Sequence, residues 1–135
     1  MKIKICIVMS VYNDDITNKL FFSAKKELIK FGIKRIEKFE VPGSFEIPVA
    51  ISKLAKKYDA FIAIGCIIQG QTLNFALISE SITNGIMQIS VKENKPIGNA
   101  ILTCFNKKQA KERFNKGAEA AKAVIAVLKN EPKKI

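Results

Sequence analysis

Residues 60–72 read AFIAIGCIIQGQT, and this stretch decides the fold. Ala60 to Ile68 is an apolar run with no charged residue. A strand with one solvated face alternates polar and apolar residues; an unbroken run belongs to a strand covered on both faces, as in a parallel sheet. The run falls far short of the ~20 residues that a helix needs to cross a bilayer. Gln69-Gly70-Gln71-Thr72 then forms a tight connection, and Thr72 is placed to cap a long helix reaching Val91.

The same alternation extends in both directions. Lys2–Ser10 is a first buried strand, and it is not read as a secretory leader, because polar Tyr12-Asn13-Asp14-Asp15 follows at once. Ile16, Leu20, Ala24, Leu28 and Phe31 mark one face of a helix over Asp14–Phe31, ended by Gly32. Ile33–Phe39 is more polar and reads as an edge strand. Val41-Pro42-Gly43-Ser44 is a turn into a helix over Ser44–Lys57, because Pro48 is tolerated only in or beside a first turn. Pro96–Thr103 is a fourth strand. Asn106 and Gln109 resemble a capping box opening a last helix to Lys129, with an apolar stripe at Ala110, Phe114, Ala118, Ala121, Ile125 and Leu128. Asn115-Lys116-Gly117 breaks or kinks it, and residues 130–135 are expected to fray. Four strand–helix alternations predict one domain over residues 1–135. By analogy with flavodoxin-like folds it is a three-layer α/β/α sandwich on a parallel sheet of order 2-1-3-4. Such sheets bind ligands beyond the carboxyl ends of the strands where the order reverses, here between the first and third strands.

Composition narrows the chemistry. The 135 residues are 48% apolar, an ordinary globular proportion. There is no histidine, which excludes imidazole zinc sites, Ser-His-Asp triads and Cys-His pairs. Cys6, Cys66 and Cys104 lie within apolar runs at no metal-like spacing, the pattern of reduced core thiols in a cytoplasmic protein. The net charge of +11 comes almost entirely from lysines scattered along helices, without an arginine cluster or interleaved aromatics. That distribution argues for solvated helix faces and attraction of anionic small molecules, and against nucleic acid or membrane as partner.

Three loops can carry chemistry. Glu46 falls in a helix's first turn, where it complements the helix dipole and where it can equally accept hydrogen bonds from a polyol. The N–H groups of Gln71 and Thr72 can receive a phosphate, although any strand–turn–helix offers as much. Tyr12 either stacks on a flat heteroaromatic ring or simply packs.

Together these stretches resemble the lumazine synthase family. VPGSFEIP at residues 41–48 is similar to that family's VPGAFEIP, and IGCIIQGQTLNF at residues 64–75 to its LGxVIRGETxHF. PIGNAILT and NKGAEAA resemble its later segments, so the likeness covers nearly the whole chain. The resemblance implies condensation of 5-amino-6-ribitylaminouracil with 3,4-dihydroxy-2-butanone 4-phosphate, with loss of phosphate and water and without cofactor or metal. It implies that Tyr12 and Asn13 lie against the ring, that Ser44, Phe45 and Glu46 hold the pyrimidine and ribityl chain, and that the Cys66-Ile67-Ile68 backbone completes the pocket. Gln71 and Thr72 would bind phosphate together with Arg113 of a neighbouring subunit, and Asn99 and Lys116 would also reach across that interface. Each site is then shared, within a pentamer or a multiple of pentamers. This chain starts at its first strand, without the extension that often embraces a neighbour, and a pentamer is expected.

The departures are informative. Asn74 stands where the family has its proton-transferring histidine, Gln69 replaces an arginine, Ala76 replaces an acidic residue, and the segment before Asn115 is shortened. An amide carries no proton at neutral pH, and a positioned acid–base group contributes roughly 10²–10⁴ in rate. Juxtaposition of two reactants remains. The expectation is a working but slower enzyme, with Asn74 and Lys116 at the catalytic positions. A non-catalytic relative that binds lumazine or flavin, or forms a shell, is the alternative. The related archaeal-type riboflavin synthase is disfavoured by residues 41–48. A receiver-like signalling domain is disfavoured because Asp59 begins its strand and a fifth strand is missing.

Overall fold

The computed structural model describes residues 2–135. The chain runs β1 (Lys4–Ser10), α1 (Asp14–Lys30), β2 (Arg35–Val41), a 3-10 turn (Ser44–Glu46), α2 (Ile47–Leu54), β3 (Ala60–Ile68), a second 3-10 turn (Gln69–Gln71), α3 (Phe75–Glu93), β4 (Ile97–Cys104), α4 (Lys107–Lys111) and α5 (Lys116–Lys129). The four strands are parallel in the order β2-β1-β3-β4, as expected, with helices on both faces in a flavodoxin-like arrangement.

Period-two alternation sends neighbouring residues of each strand to opposite layers. Ile5, Ile7, Met9, Ile62, Ile64, Cys66 and Leu102 pack with Leu20, Ala24, Ala121 and Ile125 of α1 and α5. Cys6, Val8, Phe61, Ala63 and Ile67 pack with Ile47, Ile51, Ile82 and Ile86 of α2 and α3. Every residue of β3 is buried. The cover thins at the β4 edge on the α2/α3 side, where Asn99 and Thr103 are exposed.

The last helix breaks over residues 112–115, just before Gly117. A Cβ at Gly117 would collide with the Leu20 carbonyl oxygen, so α5 crosses α1 at a distance only glycine permits. The break divides α4 from α5, and the buried stripe of α5 runs through Gly117, Ala120, Ala121, Val124 and Ile125, while Phe114 is exposed.

Several expected boundaries and caps differ. The second strand starts at Arg35 because Ile33 is claimed by the end of α1, its N–H donating to the Leu28 carbonyl. The Ser44 turn is 3-10, and α2 begins at Ile47 with Pro48 in its first turn. Thr72 does not cap the long helix: it closes the second 3-10 turn, Asn74 is the N-cap and α3 begins at Phe75. In α4, Asn106 accepts from the Gln109 N–H at 2.8 Å, but the Gln109 side chain reaches back to the Phe105 N–H rather than to that of Asn106. Asn130–Ile135 is exposed and lies outside helix and strand. Among the described residues no helix is long and apolar enough to cross a membrane.

Candidate functional site

The order reverses between β1 and β3, and three loops meet beyond their carboxyl ends. The loop after β1 is laced to the loop after β2 by two backbone hydrogen bonds, Val11 N–H to Val41 C=O at 2.9 Å and Tyr12 N–H to Pro42 C=O at 3.1 Å. Asn13 joins the third loop. Its Nδ2 donates to the Cys66 carbonyl at 3.3 Å and to Gln71 Oε1 at 3.0 Å, while Gln71 Nε2 reaches back to Asn13 Oδ1 at 3.5 Å. Asn13 also starts α1 in left-handed backbone, φ 62°, without capping the helix through its side chain. A residue type that ordinarily serves its own helix is here turned across to the next loop.

Ser44 lies directly over Gly65. A Cβ at Gly65 would fall within contact of Ser44 Oγ, so an interior strand glycine lets the 3-10 turn settle on the sheet. Glu46 Oε1 accepts from the Gly43 N–H at 2.9 Å, which fixes the carboxylate at the turn. Tyr12 and Phe45 are 58% and 65% exposed, so neither ring is consumed by the core. The Cys66 thiol is pushed up to about 12 by burial and by the neighbouring Cys104, so it is neutral and no nucleophile near neutral pH. Burial also raises Cys104, partly offset by the Arg113 guanidinium beside it.

The segment Gln69–Leu77 walls an open cleft of about 740 Å3 that holds Gln71, Thr72 and Asn74. No residue of that wall carries a formal charge. Asn74 is exposed, and its side chain leaves α3 uncapped, so the amide is not committed to the helix. Arg113 and Lys116 lie in a different cleft, of about 420 Å3, with Ile101, Thr103, Glu112 and Glu119. Asn99 is exposed on β4 and accepts from the Ile101 N–H at 3.0 Å.

The structure therefore brings Tyr12, Asn13, Ser44, Phe45, Glu46 and Cys66–Ile68 to one end of the sheet, with Gln71, Thr72 and Asn74 beside them. It does not bring Arg113, Lys116 or Asn99 into that cleft within one chain. The expected phosphate cradle also changes in kind: Gln71 and Thr72 sit in a connecting turn, not in the first turn of α3. Gly65 was not singled out from sequence, although a glycine inside so apolar a strand signals a close approach. Among the described residues no group of three Cys, Asp or Glu side chains is arranged to hold a metal ion.

Comparison with known proteins gives a single outcome. A protein of Albidiferax ferrireducens named 6,7-dimethyl-8-ribityllumazine synthase is 41% identical over 129 residues, covering 92% of this chain and 82% of its own. Relatives of the same name from an Acidovorax strain and from Cutibacterium acnes are 39% and 37% identical, over 92% and 93% of this chain and 84% and 80% of theirs. The family described as 6,7-dimethyl-8-ribityllumazine synthase matches residues 2–131. With that extent of match and this fold, the chain belongs to the 6,7-dimethyl-8-ribityllumazine synthase family, transferases of riboflavin biosynthesis.

Proposed function

We propose that this chain condenses 5-amino-6-ribitylaminouracil with 3,4-dihydroxy-2-butanone 4-phosphate, giving 6,7-dimethyl-8-ribityllumazine and releasing phosphate and water. The observation that carries this reading is the lacing of three loops at the switch point, which puts an exposed aromatic, a fixed carboxylate and an uncharged turn side by side. Tyr12 stacks on the pyrimidine. Ser44, Phe45 and Glu46 hold the ring and ribityl hydroxyls, with Glu46 as acceptor, and the Cys66–Ile68 backbone closes that side. Gln71 and Thr72 donate to the phosphate.

An uncharged cleft cannot neutralise a phosphate dianion by itself. Arg113 and Lys116 supply the missing charge from a neighbouring copy, and Asn99 reaches over from the same neighbour. The thin cover at the β4 edge and the exposed apolar residues Phe45, Val49, Leu77, Met87 and Val91 support self-association, as a pentamer or a multiple of one. The working unit is a single domain per chain, with buried reduced thiols suited to the cytoplasm.

The step sequence needs little from the protein. The 5-amino nitrogen adds to the ketone carbon and water leaves as the imine forms; loss of the C3 proton expels phosphate from C4, the resulting enol becomes a ketone at C3, and the ribitylamino nitrogen adds there with loss of a second water. Asn74 orients the imine or a water molecule, while the substrate amine, the phosphate and solvent exchange the protons. The chief contribution is juxtaposition.

Mixing both substrates with the protein and following lumazine formation tests this directly. Wild type is expected to turn over slowly, and Asn74→His to raise kcat, by up to about 10²-fold. No product from wild type, with product from Asn74→His, would favour the second reading, a lumazine- or flavin-binding relative. That reading rests on the amide at position 74.

A further inference from the structure

A cavity of about 460 Å3 opens at the amino-terminal end of the sheet, roughly 20 Å along the strands from the loops described above. Its floor is apolar: Ile33 is buried and Ile3 packs against the core. Around the rim stand Lys2, Lys34, Arg35 and Lys129, and no carboxylate lines the wall. Lys129 is held in place by donating to the Phe31 carbonyl at 3.2 Å. Between them lies Gly32, at φ 85° with open space where a Cβ would be, which keeps the mouth clear.

Abundant lysine does not by itself produce this arrangement. On the neighbouring stretches of β1 and β2, Lys4 and Lys38 are paired with Glu37 and Glu40. Among the described residues none of the four rim cations has such a partner. Like charges gathered over a low-dielectric floor raise the local potential and favour an anion there. Arg35 offers a planar fork suited to phosphate oxygens, while Ile3 and Ile33 offer nothing to a bare ion. The volume lies in the range of small-molecule pockets.

We propose that this cavity is a second ligand site, binding a small phosphate ester whose flat, weakly polar body rests on Ile3 and Ile33, such as a nucleoside monophosphate. The phosphate meets Arg35 and the three lysines, and the ring excludes water from the floor. The site is separate from the condensation cleft and does not depend on that chemistry.

The test uses the full-length protein in its native assembly, titrated with AMP, adenosine and inorganic phosphate. Binding is read by calorimetry and by the isoleucine methyl resonances. AMP is expected to shift Ile3 and Ile33 saturably, with adenosine and phosphate each at least about tenfold weaker. A Lys34→Gln/Arg35→Gln variant should weaken AMP by about tenfold or more, leave lumazine formation unchanged, and make the fall in affinity with added salt shallower. Three results overturn the proposal: no AMP binding to wild type, shifts confined to Ile78 and the other isoleucines near the Gln69–Leu77 cleft, or equal affinity in wild type and variant. Because the wild-type resonances report position without any substitution, a variant that failed to fold would not rescue the idea.

Discussion

Asn13 pays a conformational cost for its position, since left-handed backbone is tolerated by asparagine but is free only to glycine. Two substitutions separate the backbone from the amide. Asn13→Gly removes the clasp on Cys66 and Gln71 while relieving the dihedral; Asn13→Ala removes the clasp and keeps the strain. Both are expected to raise KM for the phosphate-bearing substrate several-fold with a smaller change in kcat, because Gln71 loses its anchor. In urea denaturation Asn13→Ala should be the less stable of the two, by about 1 kcal/mol. Equal KM values for Asn13→Gly and wild type would remove the clasp from the account. Resemblance of the flanking motifs put Asn13 among the ring contacts, yet its partner lies 58 residues away, and no local pattern announces such a bond.

At the level of elements, close packing singles out two glycines. Gly117→Val would drive a side chain into the Leu20 carbonyl and should cost at least about 1–3 kcal/mol in chemical denaturation, by forcing α5 away from α1. Gly65→Ala would instead displace Ser44 from the sheet; its expected signature is a raised KM for the pyrimidine with a modest loss of stability. The parallel sheet and its helical layers were legible in advance because buried parallel strands are nearly all apolar and each is followed by a helical period, while the strand order came by analogy with flavodoxin-like folds. The start of α3 was not, because Thr72 and Asn74 are both good N-cap types, and what decides is that helical backbone begins only after Asn74. The early placement of the second strand has a similar origin: Ile33 is β-branched and apolar, but the closing turn of α1 takes its N–H.

For the molecule as a whole, pH and assembly give two further tests. Burial pushes the Cys6 and Cys66 thiols from an ordinary 9.0 up to about 12, while unfolded chains would ionise near the ordinary value. Folded protein then holds protons that the unfolded chain releases, so this contribution is intact below pH 9 and is lost between about 9 and 12. The half-buried Tyr58 phenol, raised chiefly by its hydrogen bond to Glu37, adds to the same decline. Urea midpoints under reducing conditions should fall across that window, and less steeply for Cys66→Ala. Shared sites predict complementation: Gln71→Ala and Arg113→Ala, each weak alone, should regain activity when refolded together, because mixed neighbours rebuild intact clefts. No recovery, alongside a monomeric mass in solution, would confine the cleft to one chain. The cross-subunit role proposed for Arg113 comes only through the family likeness, since a single sequence carries no sign of which residues a second copy would contribute.

The two rims of the sheet are chemically unequal. Exposed Arg35, Glu37, Lys38 and Glu40 stud the outer strand on one side, an arrangement that repels an added strand, whereas the opposite rim presents uncharged Asn99 and Thr103. The charged rim turns an approaching strand away, which leaves the quiet rim as the sheet edge open to contact. A contact between that rim and an unlike patch closes into a ring only where the rotation per copy divides a full turn, and otherwise runs on as a filament.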